Sequence, residues 1–150
     1  MMTLRLPACA DAIKSVDPAA QVFGPASYGW HAFMNLQDAP DWSAVRGEHR
    51  WFLSWYLEQM AAAERSSGKR LLDVLDVHYY PEATGRAGRV VFTDQAEANA
   101  AARVQAPRSL WDRSYVETSW LTAVPESSGG SGGQPLALLP RLRESIEAHY

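Results

Sequence analysis

Alternation of apolar and polar positions is clearest in Leu71 to Pro81, LLDVLDVHYYP. From Leu72 onward, Val74, Asp76, His78 and Tyr80 share one side while Leu75, Val77 and Tyr79 share the other, which is the period of a buried β-strand. One face stays apolar to its end. The other turns from apolar to titratable and hydrogen-bonding toward the carboxyl end, the profile of a parallel sheet that binds ligand at its carboxyl edge. Pro81 has no N–H to give and stops the ladder.

The strongest helical period runs over Glu48 to Ser67, where Phe52, Leu53, Tyr56, Met60 and Ala63 fall within an arc of roughly 100°, the width of a core-facing stripe. Gly68 is its natural stop, with Arg65 and Lys69 near the negative end of the helix dipole. A second helix is predicted over Leu6 to Val16, closed by Asp17-Pro18. Ala20 to Phe23 reads as a short apolar strand ended by Gly24-Pro25, and Ala26 to Asp41 as an irregular, aromatic-rich connection. Strand, helix, strand in this span is one βαβ crossover and implies parallel pairing.

The connection from Pro81 to Gln134 is far longer than the usual loop, and such connections are commonly functional. It is predicted to hold a helix from Asp94 to Gln105, capped by Thr93 or Asp94 and stopped by Pro107, then the aromatic segment SLWDRSYVETSW. Ser127 to Gly133, SSGGSGG, is low in complexity and expected to be mobile. A last amphipathic helix is expected over Leu136 to Tyr150, through Leu139, Leu142 and Ile146, with Pro140 in its first turns. The order is that of the middle of an α/β barrel or open sheet. Two strands cannot close a barrel of eight, so either the excursion supplies more strands or the chain is a piece of something larger.

The 150 residues, 47% of them hydrophobic, suit a single globular domain. A formal charge of −3 with both signs interspersed gives no field that would gather nucleic acid or an anionic membrane. Cys9 is alone, and His31, His49, His78 and His149 show no zinc spacing, so neither a disulfide nor a structural zinc is expected. Arg5, Pro7 and Asp11 interrupt any apolar run at the amino end, where an export signal would need one. Six tryptophans and six tyrosines are many for this length, and several fall in predicted loops. Rigid rings outside a core serve as contact platforms, and the apolar C–H faces of sugars are natural guests.

The runs VDPAAQVFGPASYG, WYLEQM followed by GKRLLDVLDVHYYPEA, ARVQAPRSLWDRSYVETSW and GGQPLALLPRLRESIEAHY resemble, in order and spacing, the middle of glycoside hydrolase family 44, from about Val16 to Tyr150. The resemblance implies an α/β fold, a partial (β/α)8 TIM barrel. It places Ala20 to Phe23 on the fifth strand and Leu71 to Tyr80 on the sixth, with flanking helices and a long loop excursion. Residues 1–150 would then be one incomplete catalytic domain, without a second. The family's retaining endoglucanases and xyloglucanases use two glutamates, one in an Asn-Glu-Pro motif after the fourth strand and one in a Thr-Glu-Tyr-like motif after the seventh. Neither motif occurs here, which puts the first before Met1, the second beyond Tyr150, and the remainder of the barrel outside this chain.

The function implied is that of a fragment of a retaining endo-β-1,4-glucanase acting on cellulose or xyloglucan. The alternatives are a non-catalytic β-glucan-binding module and an inactive decayed fragment. Asp76, Glu82, Asp112 and Glu117 are the acids nearest the expected cleft, and none is assigned as catalytic. His78 and Tyr80, at the end of the sixth strand, are candidates to hydrogen-bond a sugar hydroxyl or the missing nucleophile. Trp111, Tyr115 and Trp120 in the excursion, and Tyr28 and Trp30 after the fifth strand, are candidate sugar platforms, while Trp51 and Trp55 are expected to pack. Glu82, Asp94 and Asp112 lack calcium-ligand spacing, and neither metal nor cofactor is expected. The full-length parent is expected to be extracellular.

Overall fold

Helix α1 (Leu6–Val16) ends at Asp17 as its sequence predicts, with proline in its first turn. The computed structural model describes residues 5–92 and 97–150. They form two compact units, Met1–Tyr79 with Ser145–Tyr150 and Tyr80–Glu144. In the first unit α1 is followed by β1 (Phe23–Tyr28), α2 (Trp30–Asn35), α3 (Trp42–Val45), α4 (Phe52–Ser67) and β2 (Val74–His78).

Strands β1 and β2 pair in parallel from Phe23 opposite Val74 to Tyr28 opposite His78, with a register shift between Pro25 and Ser27. The predicted crossover is therefore present, but its boundaries move. Gly24-Pro25 does not end the first strand; it lies inside it, joined by a cis peptide bond, and Ala26 takes φ 56°. The strand thus begins where the sequence predicts its end. Gly24 is required by packing, because a Cβ there would lie 2.7 Å from the Tyr56 hydroxyl. Strand β2 occupies Val74–His78 rather than all of Leu71 to Tyr80, and its side chains are half-buried, with His78 exposed. It is not the fully buried strand its alternation predicts, since among the described residues it pairs with β1 alone.

Two carboxylates fix the approach to β2. Asp73 Oδ2 accepts from Lys14 Nζ at 2.8 Å and from the Val22 N–H at 2.7 Å. The Lys14 bond, then the Val22 bond, lowers the Asp73 pKa. Glu64 Oε1 accepts from the Leu72 N–H at 3.0 Å, from the Leu71 N–H, and from the Tyr150 hydroxyl.

Helix α4 starts at Phe52, four residues later than predicted, because Trp51 is extended and caps it; Gly68 closes it at φ 69° in the left-handed region that glycine favours. Phe52, Leu53, Trp55, Tyr56, Leu57, Met60 and Ala61 are buried, and α4 packs on α1 and α2. Trp42 sets its ring edge-on to Phe52 and to Trp55, 6.1 Å between centroids in each case. Trp55 is thus the packing residue expected.

In the second unit, β3 (Thr84–Gly85) and β4 (Gly88–Arg89) form an antiparallel hairpin that the sequence pattern does not reveal. Buried Asn99 holds its turn: Oδ1 accepts from the Ala87 N–H at 2.9 Å and Nδ2 donates to the Gly88 carbonyl at 2.9 Å. The helix predicted over Asp94 to Gln105 is a 3₁₀ turn, Glu97–Asn99, leading into α5 (Ala100–Gln105). The proposed caps Thr93 and Asp94 lie outside the described residues. A 3₁₀ segment Ala106–Leu110, α6 (Trp120–Ala123) and α7 (Leu138–His149) follow. Ala83, Val90 and Ala106 form one small core with Ala102 against it.

The SSGGSGG run is not a free loop. Gly130 N–H donates to Pro125, Ser131 N–H to Leu121, Gly132 N–H to Val124 and Gly133 N–H to Thr122, so its backbone is paired residue after residue. Small side chains here serve close approach: a Cβ on Gly130 would lie 1.9 Å from the Val124 carbonyl oxygen. Gly130→Ala is therefore expected to destabilise the chain by about 1–3 kcal/mol, the usual cost of overpacking, measurable as a lower urea midpoint. An unchanged midpoint would show that the segment is free to give way.

Candidate functional site

The parallel register brings two predicted site residues together. Tyr28 and His78 are cross-strand partners at the carboxyl ends of β1 and β2, both exposed, and the Gly29 N–H donates to the His78 carbonyl at 3.4 Å. Trp30, two residues on, is 6% exposed and sets its ring edge-on against Trp51 at 5.1 Å. Its buried ring is packing, not an open platform.

Tyr80, Trp111, Tyr115 and Trp120 belong to the second unit. Tyr80 and Trp111 are exposed. Tyr115 is half-buried, and the Arg108 guanidinium covers its ring at 4.6 Å from the centroid. Arg108 is held in turn by Asp112 Oδ2, at 3.0 Å from Nε and 2.6 Å from Nη2. Trp120 begins α6, whose cap is reciprocal: the Thr122 N–H donates to Ser119 Oγ and the Ser119 N–H to Thr122 Oγ1. Trp120 is 37% exposed, and its Nε1–H donates to Glu82 Oε2 at 2.7 Å. The same oxygen accepts an ion pair from Arg89.

The four acids occupy distinct environments. Asp76 stands opposite Pro25 in the strand pair. Asp112 accepts from the Ser114 hydroxyl at 2.6 Å and from its N–H at 2.8 Å; these bonds, with Arg108, bring its pKa down to about 2. It is a turn carboxylate, fully ionised near neutrality. Glu117 is 2% exposed. Its Oε2 accepts from Ser109 Oγ at 2.6 Å, while Oε1 has no geometrically sound partner among the described residues. Burial pushes its pKa up, and the nearby Glu82 carboxylate adds to this against the opposing hydroxyls of Ser109 and Ser119. Among the described residues no three His, Cys, Asp or Glu side chains converge on a metal position.

Sequence reasoning missed the tie between Glu82 and Trp120. They are 38 positions apart, and no periodicity links them. The one sign was chemical, since an indole N–H seeks an acceptor wherever it is withdrawn from water.

Comparison with known proteins places the chain. The model of glycoside hydrolase family 44 matches residues 2–83. Endoglucanase A of Paenibacillus lautus is 49% identical over 140 residues, which is 93% of this chain and 19% of that protein. A Paenibacillus polymyxa xyloglucanase of the family, solved with xyloglucan, superposes with a TM-score of 0.87 at 43% identity, over 97% of this chain and 27% of that one. A Clostridium thermocellum endoglucanase of the family gives a TM-score of 0.83 at 45% identity, over 96% and 27%. The chain thus spans about a fifth to a quarter of these relatives.

Glu117 supplies a test of the electrostatics. Because its folded-state pKa is raised, its contribution to stability is complete below the ordinary glutamate range and is lost as pH rises through the folded value. Glu117→Gln keeps an acceptor for Ser109 without a charge to bury. The variant should therefore gain stability relative to the parent at pH 7–8, and the gap should close toward pH 4. Parallel stability curves across that range would contradict the assignment. The likeness to these endoglucanases and xyloglucanases covers nearly the whole of the chain, and it belongs to glycoside hydrolase family 44.

Proposed function

We propose that this chain is the central part of the catalytic barrel of a retaining endo-β-1,4-glucanase, and that it contributes glucan-binding surface rather than the hydrolytic pair. On this reading β1 and β2 are the fifth and sixth barrel strands, residues 1–150 are one incomplete catalytic domain, and the complete protein is exported to act on cellulose or xyloglucan. The observation that carries the reading is the parallel β1–β2 pair, with Tyr28 and His78 side by side at its carboxyl end. Barrels of this class build their sites at that end.

Retaining hydrolysis needs an acid to protonate the leaving oxygen and a carboxylate about 5–5.5 Å from it to trap the oxocarbenium-like centre. Three of the four acids nearest the expected cleft suit neither role. Asp112 is tied into a turn, Glu117 is sealed from any substrate, and Glu82 is engaged by Arg89 and Trp120. The two glutamate motifs that the family resemblance implies are missing from the sequence. What this chain offers a glucan is aromatic and hydrogen-bonding surface: Tyr28, His78, Tyr80, Trp111 and Trp120, with Tyr115 partly covered. A non-catalytic β-glucan-binding module is the second reading, favoured by the exposure of Trp111 and Tyr80.

Native electrophoresis through hydroxyethylcellulose should retard the folded chain, whereas incubation with xyloglucan or carboxymethylcellulose should release no reducing ends. Unretarded migration would refute glucan binding. Release of reducing ends by the chain alone would refute placing the hydrolytic pair elsewhere.

A further inference from the structure

We propose that Glu82 is a positioning residue for glucan binding, holding the Trp120 indole by its N–H edge so that the ring stands as a fixed stacking platform. The inference rests on the reading of Trp120 as a sugar platform. It concerns what sets the ring's orientation.

Three chain segments meet at this contact, and their backbones are joined. The Thr84 N–H donates to the Thr118 carbonyl at 2.7 Å, and the Val90 N–H to the Ala83 carbonyl at 2.9 Å. Glu82, Arg89 and Trp120 therefore project from frames tied to one another. Buried Ala83 and Val90 anchor two of those frames in the small core. The reciprocal cap of Ser119 and Thr122 fixes the backbone at Trp120 itself. The indole itself is oriented through its side-chain contacts, and the bond to Glu82 is one of them.

The Glu82 carboxylate holds the indole by accepting from its N–H. Its side chain is 12% exposed, so it is largely withdrawn from water and needs partners. It finds Arg89 and the Trp120 N–H, both on Oε2. A bond from N–H to an ionised carboxylate is shorter and stronger than one between neutral groups, and 2.7 Å agrees with that. Arg89 compensates the charge, while burial pushes the neighbouring Glu117 toward its neutral form. The tie grips the indole at its polar edge, and 37% of the residue's surface stays open to solvent.

Such a tie suits a ring that receives a pyranose. Stacking on a sugar requires the ring plane to be set, and a side chain ordered before binding loses less entropy on contact. Tyr115 shows the contrast, since Arg108 occupies a face of its ring. At Trp120 the Glu82 carboxylate binds the N–H edge.

The test follows cellohexaose binding to this chain through its ¹⁵N-labelled indole N–H resonances. The Trp120 signal is identified as the one lost in Trp120→Phe. It should lie downfield in the parent chain and in Glu82→Gln, whose amide oxygen can still accept, and move upfield in Glu82→Leu. Glu82→Leu and Trp120→Phe should each weaken binding about three- to tenfold, the effect of freeing one interface side chain. Glu82→Gln should retain nearly all of the affinity. The double variant Glu82→Leu/Trp120→Phe should be no weaker than either single change, because both cut the same bond. Additive losses in the double variant, or a loss in Glu82→Leu with the Trp120 signal unmoved, would overturn the positioning role and leave the platform standing. If Glu82→Leu does not fold, full affinity in Trp120→Phe overturns the role by itself. Unchanged affinity in Trp120→Ala, or no binding by the parent chain, would instead overturn the platform reading, and the inference with it.

Discussion

The parallel pairing of β1 with β2 is the constraint on which the first unit depends. Two parallel strands cannot be joined by a tight turn, so the chain between them must cross over, and here α4 makes the crossover. Its buried stripe supplies most of the unit's buried large apolar side chains. Pairing also requires the two strands to start in register. Asp73 secures this by accepting the Val22 N–H with its side chain while its own N–H donates to the Val22 carbonyl. Lys14 brings α1 to the same carboxylate, and Glu64 binds the residues leading into β2 to the end of α4 and to Tyr150. A register set at the amino ends of the strands is read out at their carboxyl ends, where Tyr28 and His78 become neighbours.

The same constraint explains how much of this unit the sequence reveals. Leu6–Val16 shows its helix because proline opens it and Asp17-Pro18 closes it. The α4 stripe is legible because its period is long and uninterrupted, but its first turn is not. Residues 48–51 fit the helical period, yet Trp51 is drawn into an extended conformation with its ring against Trp30, a contact across 21 positions. Gly24-Pro25 misleads for a related reason. Locally it is a strand breaker, but in place it lets the strand pass the Tyr56 hydroxyl, which is buried and pushed up to about 12 in pKa. Tertiary packing overrides local punctuation at both positions.

The second unit is less legible because much of its interior is polar. Asn99, Ser109, Glu117, Ser119 and Ser131 are all buried, and hydropathy assigns such residues to the surface. They are tolerated because they bond to named partners: Asn99 to the β3–β4 turn, Ser109 to Glu117 Oε2, Ser119 to Thr122, and Ser131 to the Gln134 carbonyl; Glu117 Oε1 alone among these side-chain oxygens lacks a partner among the described residues. SSGGSGG shows the limit of a compositional reading. Gly130 is small because the Val124 carbonyl approaches it closely, and the N–H groups of residues 130–133 bind carbonyls of residues 121–125; the same composition serves a free linker equally well. Sequence does locate the aromatic segment, but it cannot tell the ring of Tyr115, covered by Arg108, from the ring of Trp120, held at its edge.

The division of labour between Glu82 and Glu117 bears directly on what this unit can do. A carboxyl acting as a general acid must combine a raised pKa with access to the leaving oxygen. Glu117 has the first and lacks the second, because the desolvation that raises its pKa also seals it from substrate. Glu82 differs: it lies beside the partly exposed Trp120, but Arg89 and the indole N–H already occupy its Oε2. Moving either residue toward catalysis would undo its present arrangement, since exposing Glu117 removes the cause of its shift and freeing Glu82 breaks its bond to the Trp120 indole. Both carboxyl groups thus serve local structure, Glu117 accepting from Ser109 in the interior and Glu82 joining Arg89 to the Trp120 indole.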